Sequence, residues 1–136
     1  MAKARTGGSD EASRQTARAD FKMALHDDCN KSLAKLGPAD HAIVLAQLQV
    51  FFGAWKEGRS DEDLHQQWDY KVLKGADEKR LKVRQIHLKK HRAVLLIVAE
   101  DQTMWVLEVF LKGKAKAQQA AISRAVSRAQ ELLEGR

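Results

Sequence analysis

Seven consecutive apolar residues, Ala93–Ala99, sit between two stretches of strand-like sequence, and this arrangement constrains the chain more than any other feature. Leu81–Leu88 lies before it and Thr103–Lys112 after it. Lys89-Lys90 and Glu100-Asp101-Gln102 separate the three, lengths that fit antiparallel hairpins. A strand apolar on both faces belongs in the middle of a sheet, covered on at least one side, so Arg92–Ala99 is the expected central strand. A two-residue turn at Lys89-Lys90 pairs Leu88 with His91 and His87 with Arg92. A second turn about Asp101 brings Arg92 near Phe110 and Leu111.

The flanking sequence supplies helices. From Ala115 the period changes, and Ile122, Val126, Ala129 and Leu133 line one helical face with Arg124 and Arg128 outside. Upstream, Val44, Leu48, Phe51 and Trp55 recur at helical spacing, which predicts a helix over Ala39–Lys56. Pro38 suits its first turn, and Gly58 lies at its end. Phe21, Met23 and Leu25 alternate as a short strand. Asp27 or Asp28 then caps a helix that turns Leu33 and Leu36 inward and stops at Gly37-Pro38. One long helix over Asp10–Leu36 is the alternative, and local pattern leaves both open. Ser60–Gln67 reads as a short helical turn, followed by Trp68–Gly75. Residues 1–19, without an aliphatic side chain after Met1, read as a flexible arm, and 20–136 as one domain. The predicted order is β-α-α-β-β-β-α, an α+β fold with a small, mostly antiparallel sheet packed by helices.

With 136 residues and 44% apolar composition the chain can close one core. Its longest apolar run falls far short of the ~20 residues that cross a bilayer. Nothing after Lys3 and Arg5 resembles a secretory leader, so a soluble cytoplasmic protein without a membrane partner is expected. Cys29, the single cysteine, forms no internal disulfide and reads as a small packed side chain. The five histidines form no HExxH motif and the single cysteine cannot anchor a thiolate site, so neither a metal nor a small-molecule cofactor is expected.

Charge is divided unevenly. Residues 1–70 carry a formal −2 and residues 71–136 a formal +8; Lys71–Arg92 alone holds nine basic and two acidic side chains. Such an imbalance points to a polyanion-facing surface, although lysines also merely solvate a fold. Alternation places Lys82 and Arg84 on one face, opposite Leu81 and Val83. Lys82, Arg84, His87, Arg92 and Lys112 or Lys114 then converge along one side of the sheet. Arg92, opening an aliphatic strand, requires water, a carboxylate or a phosphate; Glu108 is the carboxylate that would make it a structural ion pair. Clustered cations stabilise a phosphodiester where negative charge grows, and RNA carries its own nucleophile in the 2′-hydroxyl. His87 or His91 would titrate near neutrality, or simply be solvated on the hairpin. Trp55 fits a helix core, Trp105 a buried sheet face, and Trp68 a wedge against the sheet or a base-stacking platform.

These residues resemble the RelE/ParE superfamily of bacterial toxins, in particular its HigB-like, phage-derived branch. The resemblance rests on Tyr70-Lys71-Val72-Leu73-Lys74-Gly75, Leu81-Lys82-Val83-Arg84, His91-Arg92-Ala93-Val94-Leu95, and Val106–Lys112, in that order. It covers about residues 20–134. It implies the toxin of a type II toxin-antitoxin system, a ribosome-dependent endoribonuclease (mRNA interferase) that inhibits translation. Metal-independent 2′-OH attack is implied, and the implied partners are a cognate antitoxin, the ribosome and mRNA. The catalytic positions implied are Arg84, Arg92, His87 and Lys82. Lys74, Lys89, Lys90, His91, Lys112 and Lys114 would bind RNA. Glu108 stands where many relatives have His, Lys112-Gly113-Lys114 replaces a lysine pair, and Ala120 lies where some carry Tyr; the proton-transfer step is where this chain departs. A ParE-like, non-catalytic gyrase inhibitor and a simple nucleic-acid-binding protein are the alternatives.

Overall fold

The computed structural model describes residues 2–75 and 80–135. In chain order the elements are α1 (Ala2–Arg18), β1 (Lys22–Leu25), α2 (Asp27–Ala34), α3 (Pro38–Lys56), α4 (Asp61–Trp68), β2 (Lys71–Val72), β3 (Arg84–His87), β4 (His91–Val98), β5 (Thr103–Leu111) and α5 (Ala115–Glu134). The five strands form one mixed sheet in the order β1-β5-β4-β3-β2. β1 runs parallel to β5 and every other pair is antiparallel. The α+β architecture and the central position of the aliphatic strand agree with the sequence reading.

Both faces of β4 are covered, which is why it can be aliphatic throughout. On one side Ala93 and Leu95 join Ile86, Met104 and Val106 against Leu33 of α2, Val44, Leu48 and Phe51 of α3 and Leu64 of α4. An aromatic group closes this side: Phe51 meets Trp68 edge-on at 5.3 Å and Tyr70 at 5.5 Å. On the other side Val94, Leu96 and Val98 join Val83 and Leu107 against Ala125 and Ala129 of α5. A bulge between Val94 and Leu95, where Leu107 is the extra residue, re-aims the second half of β5.

Four expectations are corrected. Residues 1–19 were expected to form an arm; Ala2–Arg18 is helical, with Met1 outside the described residues. No aliphatic stripe was needed because arginines do the docking. Arg14 Nε donates to Gly58 O at 2.6 Å, and Arg18 Nη1 donates to Trp55 O at 2.8 Å and Arg59 O at 3.1 Å. These carbonyls lie at the C-terminal, negative end of α3, which favours a cation. The Arg18 guanidinium also stacks over Trp55 at 4.5 Å. Gly58, at φ +91°, lets the two backbones meet: a Cβ there would run into Glu11 and Gln15.

Second, α2 is capped neither by Asp27 nor by Asp28. The His26 ring accepts from the Asp28 N–H, and both aspartates fall in the first turn, where they favour the helix dipole. Third, the buried stripe of α5 is Ala121, Ala125, Val126 and Ala129, while Leu133 is exposed. Small side chains let this helix lie close on the sheet, rotating it away from the Ile122/Leu133 face. Fourth, β3 is shorter than Leu81–Leu88. Lys82 has φ +57°, so the strand's alternation starts only after it.

Candidate functional site

The strand ends of β3, β4 and β5 meet at one corner of the sheet. Leu88 N–H donates to His91 O at 2.9 Å across the Lys89-Lys90 turn, and His87 pairs in register with Arg92, as expected. Arg92 also pairs with Phe110, and Lys112 N–H donates to Lys90 O at 2.9 Å. Backbone bonding therefore carries Lys89, Lys90, Arg92 and Lys112 to the same corner.

Arg92 is only 7% exposed. Its Nη1 donates to His91 O at 3.1 Å and more weakly to Leu88 O at 3.4 Å. Among the described residues no carboxylate pairs with it. The expected partner, Glu108, is engaged elsewhere: Arg124 Nε lies 2.7 Å from Oε2 and Arg128 Nη1 3.1 Å from Oε1. No side-chain nitrogen of the described residues is both buried and unpartnered, so the remaining Arg92 donors have access to solvent. A nearly buried cation with donors to spare is a site for an anion.

Beside it stands a carboxylate that sequence reasoning missed. Asp69 follows α4 in the left-handed conformation, φ +51°, with its N–H on His65 O at 2.7 Å. Asp69 Oδ2 lies 3.0 Å from His87 Nε2 and 3.4 Å from Lys71 Nζ, and Oδ1 lies 3.3 Å from His65 Nδ1. Burial holds the His87 pKa below its ordinary value; Arg92, then Lys71 and Lys112, push the same way, and Asp69 opposes them. His87 is thus neutral at pH 7. With Nε2–H directed at Asp69, Nδ1 is left as the free proton acceptor. The signal for Asp69 was present but indirect: once Lys71 pairs with Gln85, two residues of antiparallel register set Asp69 beside His87.

A cleft of about 520 Å³ opens here between α3, α4 and the hairpin. His87, Lys89 and Arg92 form its hairpin wall. His91, nearly buried, faces instead a smaller cavity of about 200 Å³ beside Asp40 and Ile43 of α3, with Lys89 and Lys90 at its rim.

The other expected residues are dispersed. Lys82 is exposed in the turn before β3. Arg84 does not join Arg92: its guanidinium lies over the Tyr70 ring at 5.5 Å, on the side of the sheet that packs α3. The proposed single-sided convergence of Lys82 and Arg84 with His87 and Arg92 is therefore corrected, because Arg84 and His87 are separated by an odd number of strand positions. Lys74 is exposed beyond β2, and Lys114 is exposed at the start of α5. Among the described residues no group of three His, Cys, Asp or Glu side chains is arranged to hold a metal ion, and no helix is long and apolar enough to cross a membrane.

No protein family and no curated protein matches the chain. Solved structures similar to it include the following two. One is the archaeal RelE–RelB complex from Pyrococcus horikoshii OT3, at 18% identity and TM-score 0.49, covering 70% of this chain and 98% of that one. The other is the isolated E. coli RelE toxin, at 17% identity and TM-score 0.47, covering 76% of this chain and 97% of that one.

Proposed function

We propose that this chain is the toxin of a toxin-antitoxin pair and cleaves mRNA on the ribosome by attack of the RNA 2′-hydroxyl on its own phosphodiester. The observation that supports this most is Arg92, nearly buried, paired with no carboxylate among the described residues and 3.1 Å from a backbone carbonyl that fixes its orientation. The order of the sequence motifs that resemble RelE/ParE toxins supports it as well.

Arg92 holds the scissile phosphate and offsets the charge that grows on its oxygens. His87, neutral and oriented by Asp69 at 3.0 Å, accepts the 2′-OH proton as the 2′-oxygen bonds to phosphorus. The bond from phosphorus to the 5′-oxygen breaks, that oxygen takes a proton from water, and a 2′,3′-cyclic phosphate remains. Lys112 and Lys89 steer and hold the flanking backbone. Covering this corner with an antitoxin would silence the protein.

The test is induced expression followed by mapping of transcript 5′ ends. New ends on translated messages, lost in Arg92→Ala, are expected. Growth arrest with messages intact would overturn the reading, and loss of supercoiling in that case would transfer it to gyrase inhibition.

A further inference from the structure

We propose that the solvent-facing side of α3 is a self-association surface, on which a second copy of this chain packs its own α3 antiparallel and shields the corner around Arg92.

Between Asp40 and Lys56 the helix carries no Lys, Arg, Asp or Glu. One face is used by the core, through Val44, Leu48, Phe51 and Trp55. The opposite face is apolar too: Ala39, Ile43, Ala46, Val50 and Gly53 are exposed, Ile43 by 52% and Val50 by 61%. A helix apolar all round belongs in an interior, and here one side of it meets water. The five positions are spaced by four and three residues in alternation, the seam of a two-helix coiled coil.

Gly53 separates an interface from a chance patch. It lies within the helix, where glycine is less favourable than alanine. A Cβ built there would meet no atom of the described residues within 4 Å, so no contact among them requires its absence. Glycine at such a place serves the close approach of something from outside.

Size and charge select the occupant. In an antiparallel pair centred on Ala46, that residue faces its own mate at the two-fold axis. Each Ile43 then lies beside Val50 of the second copy, and each Ala39 beside Gly53. Layers of small side chains alternate with layers of large ones, which lets two identical seams interdigitate. At the start of the seam the Lys89-Lys90 turn borders a small cavity with Asp40 and Ile43, and at its end Glu57 is exposed. Antiparallel pairing brings each Glu57 toward the lysine turn of the other copy, whereas parallel pairing sets like charges together. One helix pair buries less than the roughly 1,200 Å² of a standard interface, so association is weak and depends on concentration. Ala46 and Val50 also wall the cleft beside Arg92, so the second copy closes that cleft. Only the consequence for RNA rests on the proposed function; the interface does not.

The test is sedimentation equilibrium of the intact chain, expected to give monomer at about 1 µM and mostly dimer at about 500 µM. Gly53→Gln adds a side chain where the monomer has room, and should raise the dissociation constant at least about tenfold without lowering the urea midpoint. Ala46→Cys should form a disulfide-linked dimer on mild oxidation, and Lys116→Cys, exposed on α5, should not. Cys29 is buried and does not compete. Cleavage per chain should fall as the parent protein is concentrated and stay constant in Gly53→Gln. A parent chain still monomeric at the higher concentration would overturn the inference, as would a dimer that Gly53→Gln leaves intact. Cleavage unchanged by dimerisation would overturn the shielding. A co-purified protein that protects the Ala46→Cys thiol from alkylation while the chain stays monomeric would also overturn it, and assign the face to a different partner. If RNA stays intact at every concentration while the Ala46→Cys dimer forms, the cleavage reading fails and the interface stands.

Discussion

Glu108 and Asp69 each gather cations on the same sheet, with opposite consequences. Glu108, 2% exposed, has both oxygens taken by Arg124 and Arg128 from α5. Arg128 also donates to Leu107 O at 2.7 Å, so the bulge and the helix are tied together. That network consumes its charges internally and acts as a clamp. Asp69, its side chain about one-third exposed, is shared among His65, Lys71 and His87 beside an Arg92 that pairs with no carboxylate among the described residues. That corner keeps a surplus of positive charge facing water. Glu108 lies two ladder positions from Arg92, paired with Val94, and the α5 arginines occupy the carboxylate that would otherwise have neutralised it. The clamp on one strand thereby leaves the neighbouring guanidinium available.

The largest effect is expected from breaking the clamp. Glu108→Ala leaves Arg128 nearly buried without its counter-charge, and should cost about 3 kcal/mol, measured by urea unfolding. The low end of the usual range applies because Arg124 is half exposed and can turn to solvent. A loss under about 1 kcal/mol would mean that the network is a surface ion pair. Next, Arg92→Ala should reduce RNA cleavage about 100-fold or more, as removal of a transition-state charge partner does, while the unfolding midpoint moves little. If Arg92→Ala instead unfolds the protein, its carbonyl bonds outweigh its role toward an anion and the contrast with Glu108 collapses.

Much of this was legible in the sequence because it follows from period and turn length. The central strand, the pairing of His87 with Arg92, the register of Arg92 with Phe110 and the span of α3 required only alternation, apolar spacing and Pro38. What was not legible depended on contacts between distant segments. The docking of α1 depends on arginine bonds to carbonyls at the end of α3, a contact with no hydrophobic signature. The separation of Arg84 from Arg92, by contrast, follows from strand parity alone, because Arg84 lies an odd number of positions from His87, the cross-strand partner of Arg92; the left-handed Lys82 hid only the late start of the strand. Asp69 was hidden because its relation to His87 exists only once the two-residue β2 pairs with β3. The structure gathers Arg92, His87, Lys112, Asp69 and Lys71 at one corner and sets Lys82 and Arg84 apart from it.

Asp69→Asn sharpens the contrast at intermediate magnitude. Asparagine tolerates the left-handed backbone, so the fold should persist. The amide removes the charge that orients His87, and cleavage should fall about tenfold, the scale typical of a supporting carboxylate. Because Asp69 raises the His87 pKa, its loss lowers that pKa further. The acid limb of the pH–rate profile, which reports neutral His87, should already lie below 6.5 in the parent protein and move to lower pH in the variant. Stability follows the same group. A histidine whose folded pKa is depressed binds fewer protons when folded, so its contribution is present above pH 6.5 and is lost as pH falls through the window beneath that value. An acid limb that moves upward in Asp69→Asn would remove Asp69 from the site.

The smallest effect distinguishes sequence placement from structural placement. Arg84→Ala should lower stability by about 0.5–1 kcal/mol through loss of the contact over Tyr70, and leave cleavage within about twofold of the parent. Tyr70 itself is buried, with its hydroxyl pKa raised to about 12, so it stays neutral at working pH and gains no charge when the guanidinium leaves. Arg92→Ala in the same assay should show the reverse pattern, a large change in rate and a small one in unfolding. If Arg84→Ala silences cleavage as strongly as Arg92→Ala, the two arginines act together on RNA, and the division of the sheet into a packed side and an anion-facing corner would have to be redrawn around Tyr70.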